Sequence, residues 1–138
     1  MEDIGNEMDV MLSLTKHLLL SKEGDKNVVI SPLSIHVMLS LIAAGSNGST
    51  RDQLLSFLNS KSIDLLNSFA SQLITVVAAA SGGPCLSFAG GIWLDRSLSL
   101  KPSFKQLVDS QYKAVLAQVD FKTKVPIYML SFSSHTHY

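Results

Sequence analysis

Cysteine is nearly missing from this chain of 138 residues. Cys85 stands alone, so no internal disulfide can form. No basic residue adjoins it, which points to inert packing rather than a reactive thiolate. An excess of either charge is also missing: 11 Lys and Arg face 11 Asp and Glu. That balance removes the electrostatic case for nucleic acid or for an anionic membrane surface, both of which attract clustered Lys and Arg. No apolar stretch reaches the roughly 20 residues of a membrane span, because Ser, Thr, His or Gln interrupts each one. The opening MEDIGNEMDV is acidic where a secretory leader would be basic and then apolar. These absences predict a soluble protein in a reducing setting, cytoplasmic or nucleocytoplasmic.

Catalytic constellations are lacking too. No G-x-S-x-G elbow occurs, and GSNGST at 45–50 has no Lys to make it a phosphate loop. His135 and His137 alternate near the C-terminus, yet without a third ligand they predict a solvated tail and no metal site. The sequence therefore assigns no catalytic, cofactor-binding or metal-binding residue and reads as no enzyme. His17 and His36 sit among apolar neighbours and are expected to be structural. Asn47-Gly48-Ser49 fits the glycosylation triplet, which matters only in a secreted protein.

What the sequence does have is helical periodicity. Met8, Met11, Leu12, Thr15, Leu18 and Leu19 recur at the spacing of a one-faced helix, which SKEGDK ends. NVVI at 27–30 predicts a short buried strand, since consecutive β-branched residues suit a pleated interior. Ser31 then reads as an N-cap and Pro32 as the first residue of a helix to Ala44, with Gly45 as its stop. Only Ser34, His36 and Ser40 interrupt that helix, so it is expected to be central. Thr50 and Gln53 have capping-box spacing and predict the next helix start. A fourth helix, from Ser62 to Ala80, carries Leu66, Phe69, Ala70, Leu73 and Val77 as its stripe, with Asp64, Asn67, Ser68, Ser71 and Thr75 elsewhere, and SGGP breaks it. CLSFAGGIWLD predicts a strand with Leu86, Phe88, Ile92 and Leu94 opposite Trp93. A short helix follows, opened by Pro102 and striped by Phe104, Leu107, Val108 and Tyr112. A last strand puts Val115, Ala117, Val119 and Phe121 on one face. The fold class is α+β, helices first and then two strands around a helix.

The motifs NVVISPLSI, AAGSNGSTRDQLLSFL, GGIWLDRSLSLKPSF and VDFKT, in that order, resemble the N-terminal part of a serpin. DVMLSLTKHLL and AGGIWLD are most similar to plant members of that family of protease inhibitors. The resemblance implies residues 1–124 as a partial serpin domain and residues 125–138 as a divergent tail. It implies a mechanism as well. A serpin presents a reactive loop near its C-terminus as bait for a serine or cysteine protease. After cleavage the loop inserts into the main sheet and drags the acylated protease with it. Asn27, Ser31 and Ser34 match the polar cluster beneath the opening sheet, called the shutter. Residues 32–44 match the helix behind that sheet.

The departure from the family is the end of the sequence. KVPIYMLSFSSHTHY follows VDFKT where further strands, the hinge and the bait loop are expected, so the reading is of an incomplete serpin fold with no reactive bond. The expected function is accordingly a truncated, non-inhibitory serpin-family protein that traps no protease. The alternative is an interaction module that binds a partner, a chaperone or a second copy through apolar surface left uncovered around the central helix. Only Lys61 adjoins the fourth helix, so no heparin site of the kind some serpins carry there is expected.

Overall fold

The computed structural model of the protein describes residues 2–20, 27–79 and 88–122, with side chains from residue 8 onward. Its elements run α1 (Glu2–Leu20), α2 (Pro32–Gly45), α3 (Gly48–Phe57), α4 (Ile63–Ala79), β1 (Gly91–Asp95), α5 (Pro102–Ser110) and β2 (Val115–Val119). They group into two compact units, Met1–Gln72 and Leu73–Tyr138. The α+β class and the helices-then-strands order are those expected. Residues 125–138, SKEGDK, SGGP, Cys85 and Leu86 lie outside the described residues.

In the first unit α2 begins as its sequence dictates. Ser31 is extended (φ −118°, ψ 93°), and its side chain accepts from the Ser34 N–H, with Pro32 at the first helical position. The end differs from the expectation. Gly45 is itself helical, and Ser46 ends the helix: its N–H donates to the Ala43 carbonyl at 3.1 Å and its hydroxyl to the Ile42 carbonyl at 2.7 Å. Two terminal carbonyls are satisfied this way, so no left-handed glycine is needed. The Thr50–Gln53 capping box does not form. Helix α3 starts at Gly48, after an extended Asn47 that makes no cap bond through its side chain, and this leaves Thr50 inside the first turn. At the far end Asn59 takes the left-handed conformation (φ 51°) and donates to the Ser56 carbonyl, a backbone state that asparagine tolerates. The hydroxyl of Ser62 then accepts from the Leu65 N–H at 3.3 Å as α4 begins.

The core here is Ala43, Leu58 and Leu66, against which Leu39, Leu54, Leu55 and Ile63 pack. Helix α1 lies against α2 with a face that keeps Met11, Thr15 and Leu18 of the expected stripe but is rotated away from its other members. Val10, Met11, Leu14, Thr15 and Leu18 are partly buried, whereas Met8, Leu12 and Leu19 are exposed. α1 is apolar on more than one side, and its packing selects among them. NVVI is a further correction: the segment is not a strand, and Val29 is 99% exposed. β-branched residues favour a ladder only where a partner strand exists, and none of the described residues pairs with it.

The second unit is a parallel β–α–β arrangement, with β1 and β2 in register from Gly91 opposite Val115 to Asp95 opposite Val119. All of β1 is half-buried, so the expected one-sided alternation is not visible in burial. The Trp93 ring folds back over Gly91 and leaves no room there for a Cβ. Helix α5 keeps its expected stripe, with Val108 and the following Tyr112 fully buried and Phe104 and Leu107 half-buried. Burial pushes the Tyr112 phenol pKa upward and keeps it neutral well into alkaline conditions. In β2 the expected face holds for Ala117 and Val119, whereas Val115 and Phe121 are exposed at the two ends, where cover falls away. In α4 Leu66 and Ala70 are buried as expected. Ile74 and Asn67 are buried as well, although helical spacing puts Asn67 on the polar side.

Truncating Leu66 to Ala is expected to lower unfolding stability by about 2–5 kcal/mol, the ordinary range for a fully buried leucine. Urea unfolding followed by circular dichroism checks this, and a loss below about 1 kcal/mol would show that the core cluster is not formed.

Candidate functional site

Helix α2 carries two polar sets. At its N-terminus the Ser31 and Ser34 hydroxyls lie 2.7 Å apart, and the Ser34 N–H donates to Ser31 Oγ at 3.3 Å. Both serines are exposed. Asn27, the third residue matched to the shutter, is exposed and makes no hydrogen bond among the described residues. The structure thus joins the two serines to each other and leaves Asn27 apart from them. Their arrangement satisfies an N-terminal backbone donor and holds a hydroxyl pair able to exchange donor and acceptor roles.

Half a turn further, the second set faces inward. His36 is 2% exposed and Ser40 is 0% exposed. The Ser40 hydroxyl donates to the His36 carbonyl at 2.9 Å and lies 3.5 Å from its Nδ1. The His36 ring stands edge-on to Phe69, with centroids 5.3 Å apart and planes at 71°. Its Nε2 is buried without a hydrogen-bond partner among the described residues. Burial lowers the His36 pKa from its ordinary 6.5, since a charged ring would lose its water. Meanwhile Ile42 on the same helix is 55% exposed. Sequence reading places His36 in an apolar setting but misses this inversion. The signal available was the i, i+4 spacing of His36 and Ser40, which puts both on one helix face.

Among the described residues no group of three His, Cys, Asp or Glu could hold a metal ion. An open depression of about 630 Å³ between α5 and β2 is lined by Lys105, Asp109, Lys113 and Val115, without a buried polar group converging on it. Asp95 accepts from the Ser97 N–H and hydroxyl, which hold its carboxyl below the usual range and close a surface turn.

Residues 6–127 match the family profile described as Serpin (serine protease inhibitor). Serpin-ZX of Arabidopsis thaliana is 51% identical over 126 residues, covering 89% of this chain and 32% of that protein. Serpin-ZXA of Oryza sativa subsp. japonica is 50% identical over 103 residues, covering 72% of this chain and 26% of its own length. The structure of Arabidopsis AtSerpin1 in its native stressed conformation superposes with a TM-score of 0.83 at 47% identity, over 96% of this chain and 35% of that one. Human glycosylated kallistatin, 21% identical, shares the fold with a TM-score of 0.73 over 86% of this chain and 33% of its own. The chain spans about a third of the length of the relatives it matches.

Two outcomes follow from α2. Replacing Ser31 with Ala removes its cap and is expected to cost about 1 kcal/mol in urea unfolding. The unfolded protein takes up a proton at His36 near pH 6.5 that the folded protein, with its lowered pKa, refuses. The His36 contribution to stability is therefore complete above pH 6.5 and declines as pH falls toward the lowered folded value. Thermal unfolding should show a lower midpoint at about pH 5 than at about pH 7.5, and His36→Leu should shrink that difference. An unchanged difference in the variant would assign the pH dependence to other groups.

Proposed function

The chain belongs to the serpin family, and from that membership we propose that these 138 residues are scaffold from a protease inhibitor and, as a polypeptide on their own, trap no protease. The observation that carries this reading is the sheet. Among the described residues it has two strands, β1 and β2, hydrogen-bonded directly to each other. Loop insertion needs a slot between strands, where both edges of the incoming segment find backbone partners. Two strands already paired offer none. In this reading the residues catalyse nothing, Ser31 and Ser34 act as shutter-like structural positions together with Asn27, and inhibition belongs to proteins that also supply a bait loop.

A second reading, binding of a partner or of a second copy through exposed apolar surface, is favoured by one feature. Segment 27–30, neither helix nor strand, leaves Val28 and Val29 exposed with no ladder partner among the described residues.

Incubating the 138-residue polypeptide with trypsin-like, chymotrypsin-like and papain-like enzymes should give no denaturant-stable covalent complex and no loss of peptidase activity. A single such band would overturn the first reading. Light scattering after size exclusion separates the second: an oligomer abolished by Val29→Lys supports it, and a monodisperse monomer that binds no hydrophobic dye counts against it.

A further inference from the structure

The Asn47-Gly48 junction between α2 and α3 has a use that neither the serpin scaffold nor its shutter absorbs. We propose that Asn47 is a site of spontaneous deamidation, which ages the protein by placing a carboxylate at the N-terminus of α3. The backbone nitrogen of Gly48, once deprotonated, attacks Asn47 Cγ. A new bond from that nitrogen to Cγ closes a five-membered succinimide, the bond from Cγ to Nδ2 breaks, and the amide nitrogen leaves as ammonia with the proton. Water then opens either ring carbonyl and yields aspartate or its β-linked isomer. Water is the sole co-reactant and no electrons are exchanged.

Four observations converge on this residue. Asn47 is exposed, and its side chain makes no cap bond, so the amide is free to turn toward its own backbone. Gly48 has no side chain to obstruct ring closure, and a Cβ built there would meet nothing within 4 Å. As the first residue of α3, Gly48 has an N–H without an intrahelical acceptor. The positive end of the helix dipole lies at that nitrogen and favours both its deprotonated form and the negative charge that develops during attack. The other described asparagines lack this combination. Asn6 lies within α1 and precedes Glu7, Asn27 precedes the β-branched Val28, Asn67 is buried in mid-helix, and Asn59 precedes Ser60.

The product suits its position. No acidic residue occupies the first turn of α3, and an aspartate caps a helix as well as an asparagine does while adding a favourable charge–dipole term. The β-linked isomer instead lengthens the backbone between the two helices.

The test is incubation of the full 138-residue protein at neutral and mildly alkaline pH, with peptide mass spectrometry following the gain of about one dalton at each asparagine. Asn47 should convert about tenfold or more faster than Asn27, Asn59 and Asn67, at a rate that rises with pH, and Gly48→Ala should slow it by a similar factor because a Cβ hinders closure. The comparison among asparagines within the unmodified protein stands even if that variant folds poorly. Conversion of Asn47 no faster than Asn59, a rate independent of pH, or recovery of Asn47 blocked by an N-linked glycan would each overturn the proposal.

Discussion

The bond from the Ser40 hydroxyl to the His36 carbonyl, 2.9 Å within one turn of α2, is what allows this helix to enter an interior with a polar stripe. A buried hydroxyl without a partner costs about 1–3 kcal/mol, and Ser40 avoids that penalty by bonding to its own backbone. His36 is less fully provided for. Its Nδ1 approaches Ser40, its ring meets the edge of Phe69, and its Nε2 is left without a partner among the described residues. Burial favours the neutral ring over the charged one and lowers the His36 pKa. The contact of α2 with Phe69 of α4 is thereby made by a ring whose burial favours its neutral form.

That inversion also bears on why α2 has almost no polar face. A helix whose two polar interior positions point inward needs apolar residues on its other sides for neighbours to cover. Val37, Leu41 and Ala43 receive such cover, while Ile42 stays exposed. At roughly 1.5–3 kcal/mol for each large side chain left in water, uncovered positions of this kind weigh heavily against the 5–15 kcal/mol of an ordinary domain. The relatives this chain matches are about three times its length, so they contain residues for further cover that the matched region does not supply.

Local chemistry was legible in the sequence, and long-range partnership was not. Ser31-Pro32 fixed the start of α2, and Pro102 with Val108 and Tyr112 fixed the start and interior face of α5, because each depends on residues within a few positions of one another. The family itself was readable from short ordered motifs, and residues 6–127 match it. NVVI failed as a strand because pairing depends on a partner elsewhere. Likewise α1 kept Met11, Thr15 and Leu18 of its stripe inward and turned Met8, Leu12 and Leu19 out, because its apolar residues span more than one face and only its neighbour could choose. The capping box failed for a local reason: helix α3 has its N-cap at Asn47, three residues before Thr50, and begins at a glycine with φ +58° that a sequence pattern could not assign. Among the shutter-matched residues, the Ser31–Ser34 contact follows from i, i+3 spacing, whereas Asn27, four residues before Ser31 and outside the helix, is exposed and apart from them.

The two-stranded sheet brings these threads to one physical point. β1 and β2 share five residue pairs, and α5 covers part of β2 with Val108 and Tyr112 buried. A strand pair of that size is stable only when a helix packs on it, since an isolated two-stranded ribbon is marginal in water. Covering one face does nothing for the edges, because a paired strand satisfies its backbone on one side alone. Each strand therefore keeps a row of donors and acceptors turned away from its partner, and those rows suit further strands of a larger sheet. In the same way, segment 27–30 is neither helix nor strand and has no ladder partner among the described residues. Both features fit a chain that spans about a third of the length of its serpin relatives, whose other residues are available to supply further strands.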